Sequence, residues 1–349
     1  MSPVGRPCPP VTRMSLEDVI RRTGFLVASL LCGAAAAIAQ PQFVWPVACE
    51  IGRNCVIQQY VDHDPGSGTR DYTCGTLVND GHNGTDIRVP DLATQRAGVD
   101  VLAAADGAVL RTRDEMPDVS VATAGHTSVE GRNCGNGLLI DHGGGWETQY
   151  CHLARGSVRV KNGERVTAGQ PIGRVGMSGM AEFPHLHFTV RQGRTVVDPF
   201  AYRPDAATCG SGTSLWAETL RASLAYRERS MLNFGFAPDP VTMETIEAGT
   251  AGKAPLDTNA PALVAFVRAI GLKAGDTQRL LVKAPGGQIL ADSKADALDR
   301  NKAQWMMFAG RKQPASGWSP GEYRATYSVV QDGKMVLEHE FVTRVEAGR

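Results

Sequence analysis

Between residue 82 and about residue 202 the apolar positions come in short runs broken by glycine. Residues 99–104 are closed by Asp106-Gly107 before a second run at 108–110. Residues 137–140 lead into His142 and three glycines, and 170–173 and 187–190 repeat the habit. Runs this short, punctuated by turn residues, predict antiparallel strands. Residues 40–81 are rich in Gly, Asp, Pro and Cys, show little period and are expected to be loop. A polar stretch at 112–134 interrupts the strands and is expected to be a surface loop of the kind that carries specificity. From 214 to 229 the spacing of Leu215, Leu220, Leu224 and Ala225 is closer to helical. After a Gly/Ala/Pro/Thr-rich stretch at 247–260, strand patterns resume at 265–267, 278–283, 305–308, 323–330 and 334–342. Asp332-Gly333 between the last two is a hairpin turn signal. The pattern predicts a mainly β protein: a strand-rich segment at 80–202, a linker with a possible helix at 203–260, and a smaller β-sandwich-like domain at 261–349. Trp318, Tyr323, Tyr327 and Trp305 are expected in the sandwich core rather than in a glycan-binding strip.

The N-terminus changes the picture. Arg21 and Arg22 precede an apolar run at 25–39 that ends Ala37-Ile38-Ala39. A basic flank, a short apolar stretch and a small-x-small end predict a signal peptide over 1–39, cleaved after Ala39. The run is shorter than the ~18 apolar residues of a spanning helix, so no stable membrane anchor is expected after cleavage. The protein is therefore expected to be exported, to a periplasm or beyond. Of eight cysteines, Cys49, Cys55, Cys74, Cys134, Cys151 and Cys209 remain after cleavage. An even set in an oxidising compartment favours disulfides, and 40–79 is read as a disulfide-rich N-terminal segment. Cys134–Cys151 is the expected pair, because two adjacent predicted strands carry them; the other pairings stay open. Lys plus Arg equals Asp plus Glu at 36 each. This balance lacks the basic stripe of a nucleic-acid binder.

Eight histidines carry the chemistry. His82 and Asp86 lie four apart around Gly84, and His185 and His187 lie two apart. On a strand, residues i and i+2 share a face, so both rings can enter one cleft. His152 ends another predicted strand. A catalytic zinc needs three N or O ligands and an open position for water. Peptide hydrolysis also needs a group that takes a proton from that water, and a donor facing the oxyanion. Two histidines and an aspartate on the metal, with two histidines beside it, fill these roles.

At His82-x-Gly84-x-Asp86, Gly135-Asn136-Gly137, His142-Gly143, Tyr150-x-His152-Leu153, Gly169-Gln170-x-Ile172-Gly173, His185-Leu186-His187-Phe188 and Val197-Asp198-Pro199, the sequence resembles the lysostaphin/LytM-type zinc metallopeptidases. The resemblance covers about 80–202 and implies that segment's fold and activity: an antiparallel β-sheet groove that cuts peptide cross-links, stem or bridge peptides of bacterial peptidoglycan. It implies one Zn2+ per chain on His82, Asp86 and His187. His152 and His185 become the catalytic non-ligand histidines, with His152 the general base and His185 orienting water or facing the oxyanion. Asn136 and Tyr150 are candidate substrate-binding residues of the groove, with packing as the alternative. His142 is expected to serve structure, and His63, His126 and His339 to lie on the surface. Thr189 departs from the family, which often has an acid there, as do the 112–134 insertion and the nearby cysteines. Two other functions compete: a non-enzymatic regulator of cell-wall hydrolases, and a secreted protease on Gly-rich proteins. Regulators of this family lack metal-ligand residues, all of which are present here. The role of the C-terminal domain, whether targeting, partner binding or autoinhibition, stays open.

Overall fold

The computed structural model describes residues 40–347. The expected signal peptide, Cys8 and Cys32 lie outside them. Alternating apolar positions, punctuated by turns, give ten strands up to residue 197: β1 Val56–Gln59, β2 Thr85–Arg88, β3 Asp100–Leu102, β4 Gly107–Arg113, β5 Asn136–Gly143, β6 Trp146–Leu153, β7 Arg165–Val166, β8 Pro171–Arg174, β9 His185–Gln192 and β10 Thr195–Val197. Eight form one antiparallel sheet in the order β1-β2-β9-β6-β5-β4-β7, with β10 also on β9; β3 pairs with β8. On β9, Leu186, Phe188 and Val190 point into the core, each at most 1% exposed. The i+2 rule then puts His185, His187, Thr189 and Arg191 on the other face.

The segment from residue 40 onward is expected to be loop, and it covers the back of this sheet. Phe43 packs edge-on against Phe188 and Trp216, and its backbone N–H donates to Leu215. Burial of Leu215 and Trp216 here overrides the helical spacing at 214–229, where only the 3-10 turn Glu218–Leu220 forms. The 112–134 insertion is more than a surface loop. It holds the short helix Val121–Ala124 and the 3-10 turn His126–Val129, and Met116, Val121 and Val129 make a small core of their own.

Cys134–Cys151 pairs as expected, although Cys134 lies just before β5 rather than on it; the other bonds are Cys49–Cys55 and Cys74–Cys209. The loops closed span 6 residues for Cys49–Cys55 and 135 for Cys74–Cys209. Loop-closure entropy makes these worth about 2 and about 5 kcal/mol. Replacing Cys74 and Cys209 by serine is expected to lower urea stability about twice as much as replacing Cys49 and Cys55. Equal losses in parallel urea titrations would contradict this.

Seven strands follow: β11 Ser230–Ala237, β12 Ala262–Leu272, β13 Thr277–Lys283, β14 Ile289–Ala295, β15 Lys302–Lys312, β16 Gly321–Gln331 and β17 Lys334–Val345. They form two antiparallel sheets, β11-β12-β15 and β14-β13-β16-β17. Leu263, Ala265 and Val267 of one sheet share a core with Leu280, Val282, Tyr327 and Val329 of the other, which makes a β-sandwich. Asp332 and Gly333 both take positive φ, 49° and 75°, as a type I′ hairpin requires. Trp318, Tyr323 and Tyr327 are buried as expected, whereas Trp305 is 37% exposed. Two strands escaped the sequence pattern. β14 is mostly exposed and lacks apolar alternation, and β11 lies in the expected linker.

The sandwich is tied to β2 by buried charge. Arg88 of β2 and Arg268 of β12, each at most 1% exposed, share the Glu247 carboxylate from the helix Met243–Ala248. Arg88 also donates to Gln58 Oε1 (2.8 Å), and Arg268 to the Pro90 carbonyl (2.6 Å). Burial, aided by neighbouring Arg268, pushes the Arg88 pKa down to about 9.

Candidate active site

β2 and β9 are paired so that Asp86 faces His187 and Arg88 faces His185; on the other side of β9, β6 sets Cys151 opposite His187. His82 comes from the turn before β2. These strands floor a cleft of about 680 Å³, with the 112–134 insertion contributing Val121, His126 and Asn133 to its wall. His126, expected on the surface, is exposed but faces this cleft.

His152 enters the cleft through a bulge. Strict alternation along β6 would send it toward the core, beside Tyr150. Between the pairs Asn136–Leu153 and Leu138–Tyr150, however, one residue of β5 faces two of β6. A bulge of this kind re-aims a side chain. His152 takes φ 62°, a left-handed value unusual for a residue other than glycine. Gly137 is the residue opposite. A Cβ there would lie 2.3 Å from the Tyr150 carbonyl oxygen, so the bulge depends on glycine.

The hydrogen bonds assign the tautomers. Nδ1 of His82 lies 2.6 Å from the Tyr60 carbonyl, Nδ1 of His152 lies 2.7 Å from Ser178 O, and Nδ1 of His185 lies 2.9 Å from Phe183 O. A carbonyl can only accept, so each ring carries its proton on Nδ1 and turns an Nε2 lone pair inward. His187 is reversed. Its Nε2 lies 3.0 Å from Asn83 Oδ1 and 3.1 Å from Thr189 Oγ1, while Nδ1 lies 2.8 Å from Asp86 Oδ1. His82 Nε2 is buried and makes no hydrogen bond, with Asp86 Oδ2 at 3.2 Å. Ligand atoms of His82, Asp86 and His187 thus lie within 4.8 Å of one another. Two imidazole nitrogens and a carboxylate meet here, a donor set that fits a transition-metal cation.

His185 and His152 stand beside this cluster, their ring centroids 4.7 Å apart, and His185 Nε2 is 3.6 Å from Asp86 Oδ1. Burial pulls the His152 pKa well down, helped by the two other imidazoles; burial also lowers that of His185, against the pull of Asp86. Burial opposes ionisation of Asp86, but the surrounding histidines override it and hold its carboxyl well below the usual range. For His82 burial is likewise overridden, by the Asp86 carboxylate, and the net shift is upward.

Asn136 and Tyr150 do not line the cleft. Asn136 is wholly buried, its amide bonded to the Met116 N–H and carbonyl and to the Leu153 carbonyl. Tyr150 is wholly buried, and its hydroxyl accepts from the Ala104 N–H. Their placement is that of the packing alternative: Tyr150 shares the core face with Phe188, and Asn136 satisfies backbone groups of the insertion. His142 is structural, held between the Asp106 carbonyl (2.7 Å) and Thr148 Oγ1 (2.7 Å). His63 is not a surface residue: its side chain is 17% exposed and pairs with the buried Asp198 at 2.8 Å. Asn83, Thr189, Gln149 and Arg191 were missed, though the last three follow from extending the i+2 rule along β9 and its neighbour.

Burial lowers the pKa of His142 as well as of His152 and His185. The unfolded chain takes up these protons as pH falls below the ordinary value of 6.5, and the folded chain resists. Their contribution is complete above that value and is lost on acidification. His82, with a raised pKa, works in the opposite sense, present below 6.5 and lost as pH rises. Burial lowers His339 as well, so four histidines work against one. With chelator present, the melting temperature is expected to be lower at about pH 5.5 than at about pH 7.5. A higher value at the acid pH would contradict the assignment.

Residues 80–199 match the sequence profile of Peptidase family M23. Most of the cleft lies within this matched segment. The chain is 30% identical over 162 residues to Cell division protein DipM of Caulobacter vibrioides, covering 46% of this chain and 20% of that protein. It is 34% identical over 116 residues to Peptidoglycan DD-endopeptidase ShyA of Vibrio cholerae, covering 33% and 21%. A crystal structure of a zinc-containing peptidase from Vibrio cholerae aligns over 41% of this chain and 38% of that one, at 28% identity and a TM-score of 0.27. The chain spans about a fifth of the length of the two curated relatives. The matched segment includes all five cleft residues His82, Asp86, His152, His185 and His187.

Proposed function

We propose that this chain is an exported zinc metalloendopeptidase that hydrolyses peptide cross-links or bridge peptides of bacterial peptidoglycan. The observation that carries the reading is the meeting of His82 Nε2, the Asp86 carboxylate and His187 Nδ1 beside two inward-facing imidazoles, at the floor of an open cleft. Two nitrogens and one oxygen make three protein ligands, the number that a catalytic rather than a structural zinc would take. A bound zinc would supply Lewis acidity and lower the pKa of water. The relative named as a peptidoglycan DD-endopeptidase supports the substrate class. Three disulfides suit an oxidising compartment and hence export.

The chain's own groups divide the proton work. His152, held neutral by burial, presents a free Nε2 that accepts the proton of the attacking water and returns it to the leaving amine. His185, its proton on Nδ1 and its Nε2 3.6 Å from Asp86 Oδ1, orients the attacking water and, once it takes up a proton, faces the developing oxyanion. Asn83 fixes the His187 ring so that Nδ1, not Nε2, faces the cluster. Asn83→Ala is expected to weaken zinc affinity about 10- to 100-fold in a competitive chelator titration; unchanged affinity would remove Asn83 from this role.

The test of the whole reading pairs metal content with digestion. Mature protein from Gln40 is assayed for zinc and incubated with purified peptidoglycan, with and without chelator. About one zinc per chain and chelator-sensitive release of muropeptides are expected. Protein that binds zinc and leaves peptidoglycan intact would refute the substrate, and failure to bind zinc would refute the mechanism.

A further inference from the structure

We propose that Arg191 and Gln149 form a carboxylate-binding subsite of the cleft, one that selects acidic peptides over their amides. The inference rests on the peptidase reading above and names what the substrate must carry. Arg191 is on the face of β9 that bears His185, His187 and Thr189, and both Arg191 and Gln149 line the cleft. Its position four residues beyond His187 places its backbone roughly 13 Å along the strand. The side chain leans back toward the centre: Nη1 donates to Gln149 Oε1 at 2.7 Å, and Gln149 faces Thr189 across the ladder. Gln149 is itself tethered through Nε2 to Cys134 Sγ at 3.4 Å, so the disulfide that braces the cleft wall also holds the arginine's partner.

The guanidinium has a neutral partner only. Glu147 occupies the register position opposite Arg191, yet among the described residues no carboxylate oxygen comes within 4.0 Å of Arg191. Most other half-buried or buried arginines of this chain are committed: Arg88 and Arg268 to Glu247, Arg229 to Asp276 and Glu228. Arg191 is half-buried, pre-positioned, and spends one N–H on an amide, which leaves the rest of a planar fork for a carboxylate. Its distance from the metal ligands corresponds to roughly two to four residues of extended peptide. The carboxylate it takes therefore belongs to a side chain or terminus near the scissile bond rather than to the bond itself.

The test uses a synthetic peptidoglycan stem tetrapeptide with free carboxyls and the same peptide with those carboxyls amidated. Both are titrated calorimetrically into the mature chain in the presence of chelator, so that neither cleavage nor a metal contributes. The acid is expected to bind about 10- to 100-fold more tightly than the amide. Arg191→Gln should erase the difference, Arg191→Lys should keep part of it, and Gln149→Ala should reduce it by loosening the tether. Thermal unfolding of each variant checks folding. Equal affinity for acid and amide, a preference that survives Arg191→Gln, or no binding of the acid would each overturn the subsite. Parallel digestion of muropeptide dimers by the zinc-loaded wild type separates the two readings. Loss of cleavage with the acid preference intact condemns the hydrolase reading alone, and cleavage without the preference condemns the subsite alone.

Discussion

His187→Ala is expected to strip the metal from this protein and reduce peptidoglycan cleavage at least about a thousandfold, since the Lewis-acid contribution of a catalytic metal is several kcal/mol. His187 is the residue on which the candidate site turns. Its Nδ1 faces Asp86, its Nε2 is held by Asn83 and Thr189, and its ring packs edge-on against His82 at 4.9 Å. Removing it leaves one imidazole and one carboxylate, too few to hold zinc against solvent. The side chain is only 14% exposed, but it borders the open cleft, so water can fill the space left behind. The variant should therefore melt within a few degrees of chelator-treated wild type. Zinc content by atomic absorption, read beside muropeptide release, decides the matter. Stoichiometric zinc in the folded variant would remove His187 from the ligand set.

The second large effect separates proton transfer from metal binding. His152→Ala is expected to lower the cleavage rate about 10²- to 10⁴-fold while zinc stays bound. No other group takes over its place easily, because the bulge opposite Gly137 brings this one side chain round from the core face. Alanine at φ 62° carries left-handed strain of roughly 1–2 kcal/mol, whereas glycine does not. Comparing His152→Ala with His152→Gly keeps chemistry apart from folding. A rate loss common to both is the missing base, and a loss that glycine repairs is strain. Loss of zinc in both would make His152 a ligand and redraw the site.

The cleft shows how far a strand pattern reaches. Strand period alone put His185 and His187 on one face of β9, whereas His82 reaches Asp86 from the turn before β2. That rule has no means of anticipating a bulge, and it would have buried His152. It also leaves Asn136 and Tyr150 undecided. Both sit in motifs next to site residues, but Tyr150 shares the parity of the core face and Asn136 is claimed by the backbone of the insertion. In the C-terminal part, alternation disclosed the strands whose inner face meets the second sheet and missed β14, whose side chains are largely solvated. Helical spacing at 214–229 failed because Leu215 and Trp216 are buried by Phe43, far upstream in the chain.

By itself the sequence determined the β class, the cysteine set available for pairing, the hairpin at Asp332-Gly333, and the histidines and aspartate that meet in the cleft. All of these are local matters of period, turn residues and side-chain type. The tertiary structure alone decided which way His152 points, which nitrogen of each imidazole faces inward, and how Glu247 joins the sandwich to β2. It also decided that Arg191 stands in the cleft without an acidic partner. Apart from the local His185–Phe183 contact, these depend on strand register and on hydrogen-bond partners tens of residues away, which no local pattern encodes.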